Sequence, residues 1–219
     1  MTLAQKLCVA VFLLPQLTVW LCLAWLYYLN PVDACMPYVS LCLGYWRIGV
    51  PDPLSFLFRA GLFSAVVVWL FWWYSLKAWL LLSIKQPTAW TIRHILLLGA
   101  VACSALLVSV ALLRPEQTHI LWGWQSAAVA LFFIGMVGAH SRVIYWLYRK
   151  RRQWPGELNL TAKLRMLSLQ WLLLAWWLVA VMLHSPWQQP LEWWLMLAVS
   201  SFPMMFWRDW RHFRLILTH

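Results

Sequence analysis

ILWGWQSAAVALFFIGMVGAHSRVIYWLYRKRR, residues 120–152, is a long apolar run closed by four consecutive basic residues. About 20 apolar residues suffice for a helix to cross the hydrocarbon core of a bilayer, so 120–148 reads as a membrane span with Arg149, Lys150, Arg151 and Arg152 at its exit. Five further runs read the same way, at 7–29, 54–83, 92–113, 164–184 and 191–207. The last is short and is expected to continue past Trp207 toward Arg214. The interiors carry almost no charge, as expected where a central Lys or Arg costs about 2.5–3.5 kcal/mol. Lys77 is the clear exception, close enough to the end of its span to reach the headgroups with its ammonium.

The charges orient the spans. Of the 17 Lys and Arg residues, Lys6, Lys77, Lys85, Arg93, Arg142, the 149–152 run, Lys163, Arg165, Arg208, Arg211 and Arg214 fall at alternate ends of the spans. Only Arg47, Arg59 and Arg114 fall at the other ends, where Asp33, Asp52, Glu116 and Glu192 also lie. An excess of Lys and Arg marks the cytoplasmic side. The expected fold is therefore all-α: a polytopic membrane helical bundle of six transmembrane helices, with N and C termini cytoplasmic.

Composition agrees. The 219 residues are 64% hydrophobic and 11% charged, where a soluble domain is about 25% charged. The net charge of +11 does not imply nucleic acid, because the basic residues flank apolar spans instead of covering one folded face. They are expected to anchor the chain to anionic headgroups, and the 149–152 run also suits an acidic partner. The first apolar run exceeds the 7–15 residues of a signal peptide and reads as the first helix. The absence of a long soluble domain points to a bacterial inner membrane. One helical-bundle domain over 1–219 is the economical organisation.

The connection at 30–53, NPVDACMPYVSLCLGYWRIGVPDP, is long and apolar. It is expected at the outer mouth of the bundle. There it is either an interfacial segment held by Tyr38, Tyr45 and Trp46 or a lid over a lipid-accessible cavity. Cys35 and Cys42 within it could pair as a disulfide in an oxidising compartment. Cys8, Cys22 and Cys103 fall in spans and read as small apolar residues.

The chain has 20 Trp residues. Trp46, Trp90, Trp122, Trp154, Trp187 and Trp193 fall near span ends and fit the interfacial role of indole. Trp69, Trp72, Trp73, Trp171, Trp176 and Trp177 fall deeper, where packing or lipid contact accounts for them. Gln16, Gln125, Gln170 and His140 lie within spans and are expected to hydrogen-bond between helices. Gly135 with Ala139, and Gly99 with Cys103, offer small faces for close helix approach. Pro15 and Pro203 are expected to kink the first and sixth helices.

Metal and redox chemistry has little support. His119 and His140 lie about 31 Å apart along one helix and cannot share a metal. Pairing His119 with His184 and His94 with His140 would resemble a two-haem layout, but histidines at helix ends are ordinarily interfacial, so no cofactor is expected. Neither a His-x-x-x-His nor a Cys-x-x-Cys site occurs.

Three places read together carry a family resemblance. Pro37-Tyr38-Val39-Ser40 precedes Gly44 and Pro51; His119 precedes Ala127, Ala128, Phe132 and Phe133; Glu192-Trp193 precedes Phe202, Phe206 and Asp209. This pattern resembles the Frag/DRAM/Sfk family of six-span membrane proteins, which includes the GPI-anchor remodelling factor. Leu41 stands where that family has an acid after Pro-Tyr-Ile-Ser. The resemblance implies a lipid-linked role, binding or remodelling at the outer leaflet, with Tyr38, Asp52, His119 and Glu192 gathered at the outer mouth. The partners expected are membrane lipids and other membrane-protein subunits. The alternatives are a non-catalytic subunit or scaffold of a larger complex and a haem- or quinone-binding redox protein. A reporter fused after His219 is expected to report the cytoplasm; a signal from the opposite side overturns the topology.

Overall fold

The computed structural model describes residues 2–29, 38, 45–49, 54–83, 89–113, 119–151 and 159–212. These form six α-helices: α1 (Leu3–Leu29), α2 (Leu54–Ser83), α3 (Ala89–Ala111), α4 (His119–Lys150), α5 (Leu160–Met182) and α6 (Gln188–Ser201). Three short 3-10 helices join them: η1 (Tyr45–Gly49), η2 (Phe202–Phe206) and η3 (Asp209–His212). No strand occurs among the described residues. Helices α1 to α5 are each long and apolar enough to cross a membrane. Large apolar side chains such as Phe56, Leu82, Ile120 and Met182 face outward. An exterior of this kind suits lipid as the surrounding solvent, with the backbone satisfied inside each helix.

Helix α6 differs from the other five. It has 14 residues, of which nine are buried, so it is a central element enclosed by its neighbours. It stops where Pro203 stands at the start of η2, since proline has no N–H to continue the helical ladder. Phe202 N–H turns to Val199 O instead of Ala198 O. Gln170 on α5 takes up the freed carbonyl, donating from Nε2 to Ala198 O at 2.8 Å. The Oε1 of Gln170 lies 2.9 Å from His140 Nδ1 on α4. The His140 ring is covered by Phe202, with centroids 3.8 Å apart, and by Trp73 at 5.7 Å.

Helix α1 holds the same element at two further heights. Gln16 Nε2 donates to Ser200 Oγ at 3.0 Å, and Gln5 Nε2 donates to Trp207 O at 3.1 Å. Thr2 Oγ1 donates to Trp210 O at 3.3 Å, so the start of α1 and the segment after α6 share one end of the bundle. Gln16, Gln170 and His140 thus make the interhelical hydrogen bonds expected of polar groups within spans.

That end is the basic one, and the structure corrects one reading there. Lys163 does not flank the bundle as a solvated charge. It is fully buried, and its Nζ lies 2.5 Å from Asp209 Oδ2 on η3. The ammonium also lies 4.9 Å from the centre of the Phe206 ring. Burial raises the Asp209 carboxyl above the usual carboxylate range, against the pull of Lys163 downward. Asn159 caps the start of α5, accepting from Ala162 N at 3.2 Å. At the other end of the bundle Arg59 on α2 donates to Leu113 O, just past the C-terminus of α3.

Small residues set the closest approaches. Gly135 on α4 abuts Ala102 on α3, and a Cβ built on Gly99 would lie 2.5 Å from Trp73 Cε2 on α2. Gly138 faces open space. Cys8, Cys22 and Cys103 are buried, free thiols.

Removing one partner of a buried ion pair strands the other charge. Asp209→Leu is expected to lower the unfolding free energy in micelles by about 3–5 kcal/mol. Lys163→Met added to it should restore most of the loss in the same denaturation curves. Gly99→Ala is expected to cost about 1–3 kcal/mol through overpacking, while Gly138→Ala should change stability by less than about 0.5 kcal/mol.

Candidate functional site

At the end of the bundle opposite the basic one, the turn from α5 to α6 builds a wall. Helix α5 closes with Ser185 N–H on Ala180 O at 2.8 Å and His184 N–H on Val181 O at 3.2 Å. This pair of bonds is the Schellman arrangement, which needs a left-handed residue just past the cap. His184 fills that place with φ 49°, a conformation that a residue other than glycine adopts at some cost. Pro186 follows and prevents helix from resuming at once. Helix α6 then starts at Gln188, and Gln188 Nε2 donates to Glu192 Oε1 one turn later at 3.0 Å.

Between this turn and α4 lies a cavity of about 420 Å³, within the usual range for a small-molecule site. Helix α4 contributes Gln125, Ser126, Val129 and Ala130. Helix α5 contributes Trp177, Leu178 and Val181, and the turn with α6 contributes His184, Gln188, Gln189 and Glu192. Trp46 of η1 completes the lining. The wall is graded. On α4 the lining passes from Gln125 and Ser126 to Val129 and Ala130 one turn further in, and on α5 it passes from His184 back through Val181 to Leu178 and Trp177. From Val181 back to Trp177 the step is about 6 Å along α5. Further along, α4 and α5 are joined by the His140–Gln170 contact and by Trp171 Nε1 donating to Ser141 Oγ at 2.9 Å.

Three buried polar atoms of lining residues have no protein partner: the indole nitrogens of Trp46 and Trp177 and Oε1 of Gln189. Trp46 is 5% exposed and Trp177 is 2% exposed. Buried polar groups in native proteins are ordinarily hydrogen-bonded. Glu192 is 6% exposed. Among the described residues lining the cavity none is Lys or Arg. No group of three or more His, Cys, Asp or Glu side chains able to hold a metal ion occurs among the described residues.

Of the residues proposed from sequence for the outer mouth, Glu192 lines the cavity. Tyr38 stands beside it without entering it. Its ring packs on Trp193 at 5.4 Å and Trp194 at 5.2 Å, and its hydroxyl donates to Gln16 Oε1 at 3.3 Å. Burial pushes the Tyr38 phenol up, partly offset by Trp20. His119 opens α4, but its side chain, Asp52, Arg152 and the Cys35–Cys42 pair lie outside the described residues. Arg149 and Arg151 are exposed and Lys150 is half-buried, with the Arg151 guanidinium 4.4 Å from the Tyr148 ring centre.

Of the long first connection, Tyr38 and η1 are described. Tyr45, Trp46 and Ile48 are buried, and Tyr45 packs on Trp193 at 5.0 Å. Trp46 and Trp193 are therefore packed among protein side chains. Trp69, Trp72, Trp73 and Trp177 are buried as well, whereas Trp171 and Trp176 face outward. Sequence reasoning missed Gln188 and Gln189, which sit in the connection before the apolar run starting at Leu191. Their signal was two amides beside the only carboxylate of that span end. No family model, no curated protein and no solved structure matches the chain.

Proposed function

We propose that the chain is a six-span membrane protein of the Frag/DRAM/Sfk kind that binds a membrane lipid at its outer end, with the basic end toward the cytoplasm. The observation that carries this reading is the cavity, whose lining passes along α4 and α5 from amides and an imidazole near the helix ends to apolar side chains further in. An amphiphile presents the same order, a polar head above acyl chains. The residues buried at η1, above all Trp46, cover one side as a lid would.

The six-span topology rests on lengths. The 14 residues of α6 rise about 21 Å, and the five of η2 add about 10 Å, together about the thickness of the hydrocarbon core. Arg149, Lys150 and Arg151 then meet the inner leaflet, where each basic residue contributes about 1 kcal/mol of attraction to anionic lipid. The cavity groups bind and orient a headgroup, and we assign no bond-making step to them.

A diacyl lipid carrying a photoactivatable group high on one chain is expected to label peptides of α5 and α6 in the purified protein. Val181→Trp, which fills the cavity, should cut that labelling at least tenfold while the thermal unfolding curve stays in place. Equal labelling of the two proteins rejects the lipid site.

A further inference from the structure

We propose that the cavity opens sideways into the bilayer through the seam between α4 and α5, so that a lipid held there keeps its headgroup inside and runs an acyl chain out between the two helices. This rests on the lipid-binding reading above and adds the route by which the ligand arrives and the part of it that stays in the membrane.

Helix periodicity places the opening. On α4, Ser126, Ala130, Ile134 and Ser141 recur at intervals of four and seven, which puts them on one face. Ser141 fixes the direction of that face, because its hydroxyl accepts from Trp171 Nε1 of α5 at 2.9 Å. On α5, Trp171, Ala175, Leu178 and Met182 form the matching row. Every residue of both rows is exposed or half-buried, although the two helices are neighbours there. Beside these rows, Val129 and Phe133 on α4 and Leu174 and Trp177 on α5 are buried. Ser126, Ala130 and Leu178 line the cavity from the outer rows, while Gln125, Val129 and Trp177 line it from the inner ones. The cavity therefore runs from the bundle interior to the laterally exposed surface.

The opening lies at hydrocarbon depth. The apolar stretch of α4 starts at Gly123, and Ala130 comes seven residues later (130 minus 123), about 10 Å along the helix. The hydrocarbon core is about 30 Å thick, so a route past Ala130 and Leu178 meets acyl chains and not water. Toward the basic end the Ser141–Trp171 bond ties the two helices together, and Phe133 packed on Trp177 at 5.5 Å fills the interior beside the seam. Volume requires the same exit. A cavity of about 420 Å³ suits a ligand of drug size, which amounts to a headgroup and the first carbons of a chain. The rest of a diacyl lipid lies outside. Ala130, Ile134, Ala175 and Leu178 give it an apolar bed at the depth its chains already occupy in the bilayer.

The test reads which phase reaches the inner wall. Bimane is attached to Val129→Cys in the purified full chain, which is placed in vesicles of dioleoylphosphatidylcholine and dioleoylphosphatidylglycerol. Signal from the native cysteines is subtracted with the unsubstituted chain treated alike. Replacing those lipids by their chain-brominated forms is expected to quench the bimane at least threefold more than iodide added to the water does. Adding Ala130→Trp or Leu178→Trp, each of which narrows the seam, should cut the quenching by brominated chains at least threefold with thermal unfolding unchanged. Should Val129→Cys fail to fold, Ala130→Cys carries the probe and Leu178→Trp narrows the seam. Iodide quenching as strong as that by brominated chains, or quenching by neither, overturns the lateral opening. So does brominated-chain quenching that the rim substitutions leave intact. The lipid site is judged separately: it stands if Val181→Trp still lowers photolabelling tenfold, and falls if it does not.

Discussion

A helix that ends inside a packed bundle leaves buried carbonyls, and each must find a partner in the protein. Helix α6 ends this way at Ser201, and much of the remaining architecture answers that constraint. Gln170 reaches from α5 to the Ala198 carbonyl and is itself held by His140 on α4. Gln5 reaches from α1 to the Trp207 carbonyl. The side chains of this network come from three different helices. They fix where α1, α4 and α5 stand around α6, and so fix the gap between α4 and α5 in which the cavity lies.

The bundle's class was legible in the sequence because lipid imposes a simple length and charge rule. The α2 limits, 54–83, match the expected span without adjustment, and α1, α3, α4 and α5 agree to within a few residues at each end. The sixth differs because Pro203 converts a single expected run into α6 followed by η2. The small faces at Gly99 and Gly135 were legible as well, since only a missing side chain admits Trp73 or Ala102 so closely.

The site was legible only in part. Glu192 stood out as a carboxylate at a span end. Gln188, Gln189, Trp46 and Trp177 did not, because membership in a cavity depends on which faces of α4, α5 and α6 turn toward each other. Helices that are apolar on every side carry little record of that choice in their periodicity. Lys163 shows the same limit. Its position near a cluster of basic residues made it look like a flank, and only the fold brings Asp209 to it. The neighbouring charges Arg208 and Arg211 disguised that carboxylate in the sequence.

The Lys163–Asp209 pair also bears on the order in which the molecule is assembled. The two residues are 46 apart in the chain (209 minus 163). At a synthesis rate of about 5–20 residues per second, the lysine leaves the ribosome roughly 2–9 s before its carboxylate. During that interval the cation at the start of α5 has the Asn159 carbonyl beside it but lacks its carboxylate, and a buried charge without its counter-ion is costly. The segment after α6 therefore ties itself to the start of α5 through one ion pair, and a chain without Asp209 leaves the Lys163 ammonium buried without its carboxylate.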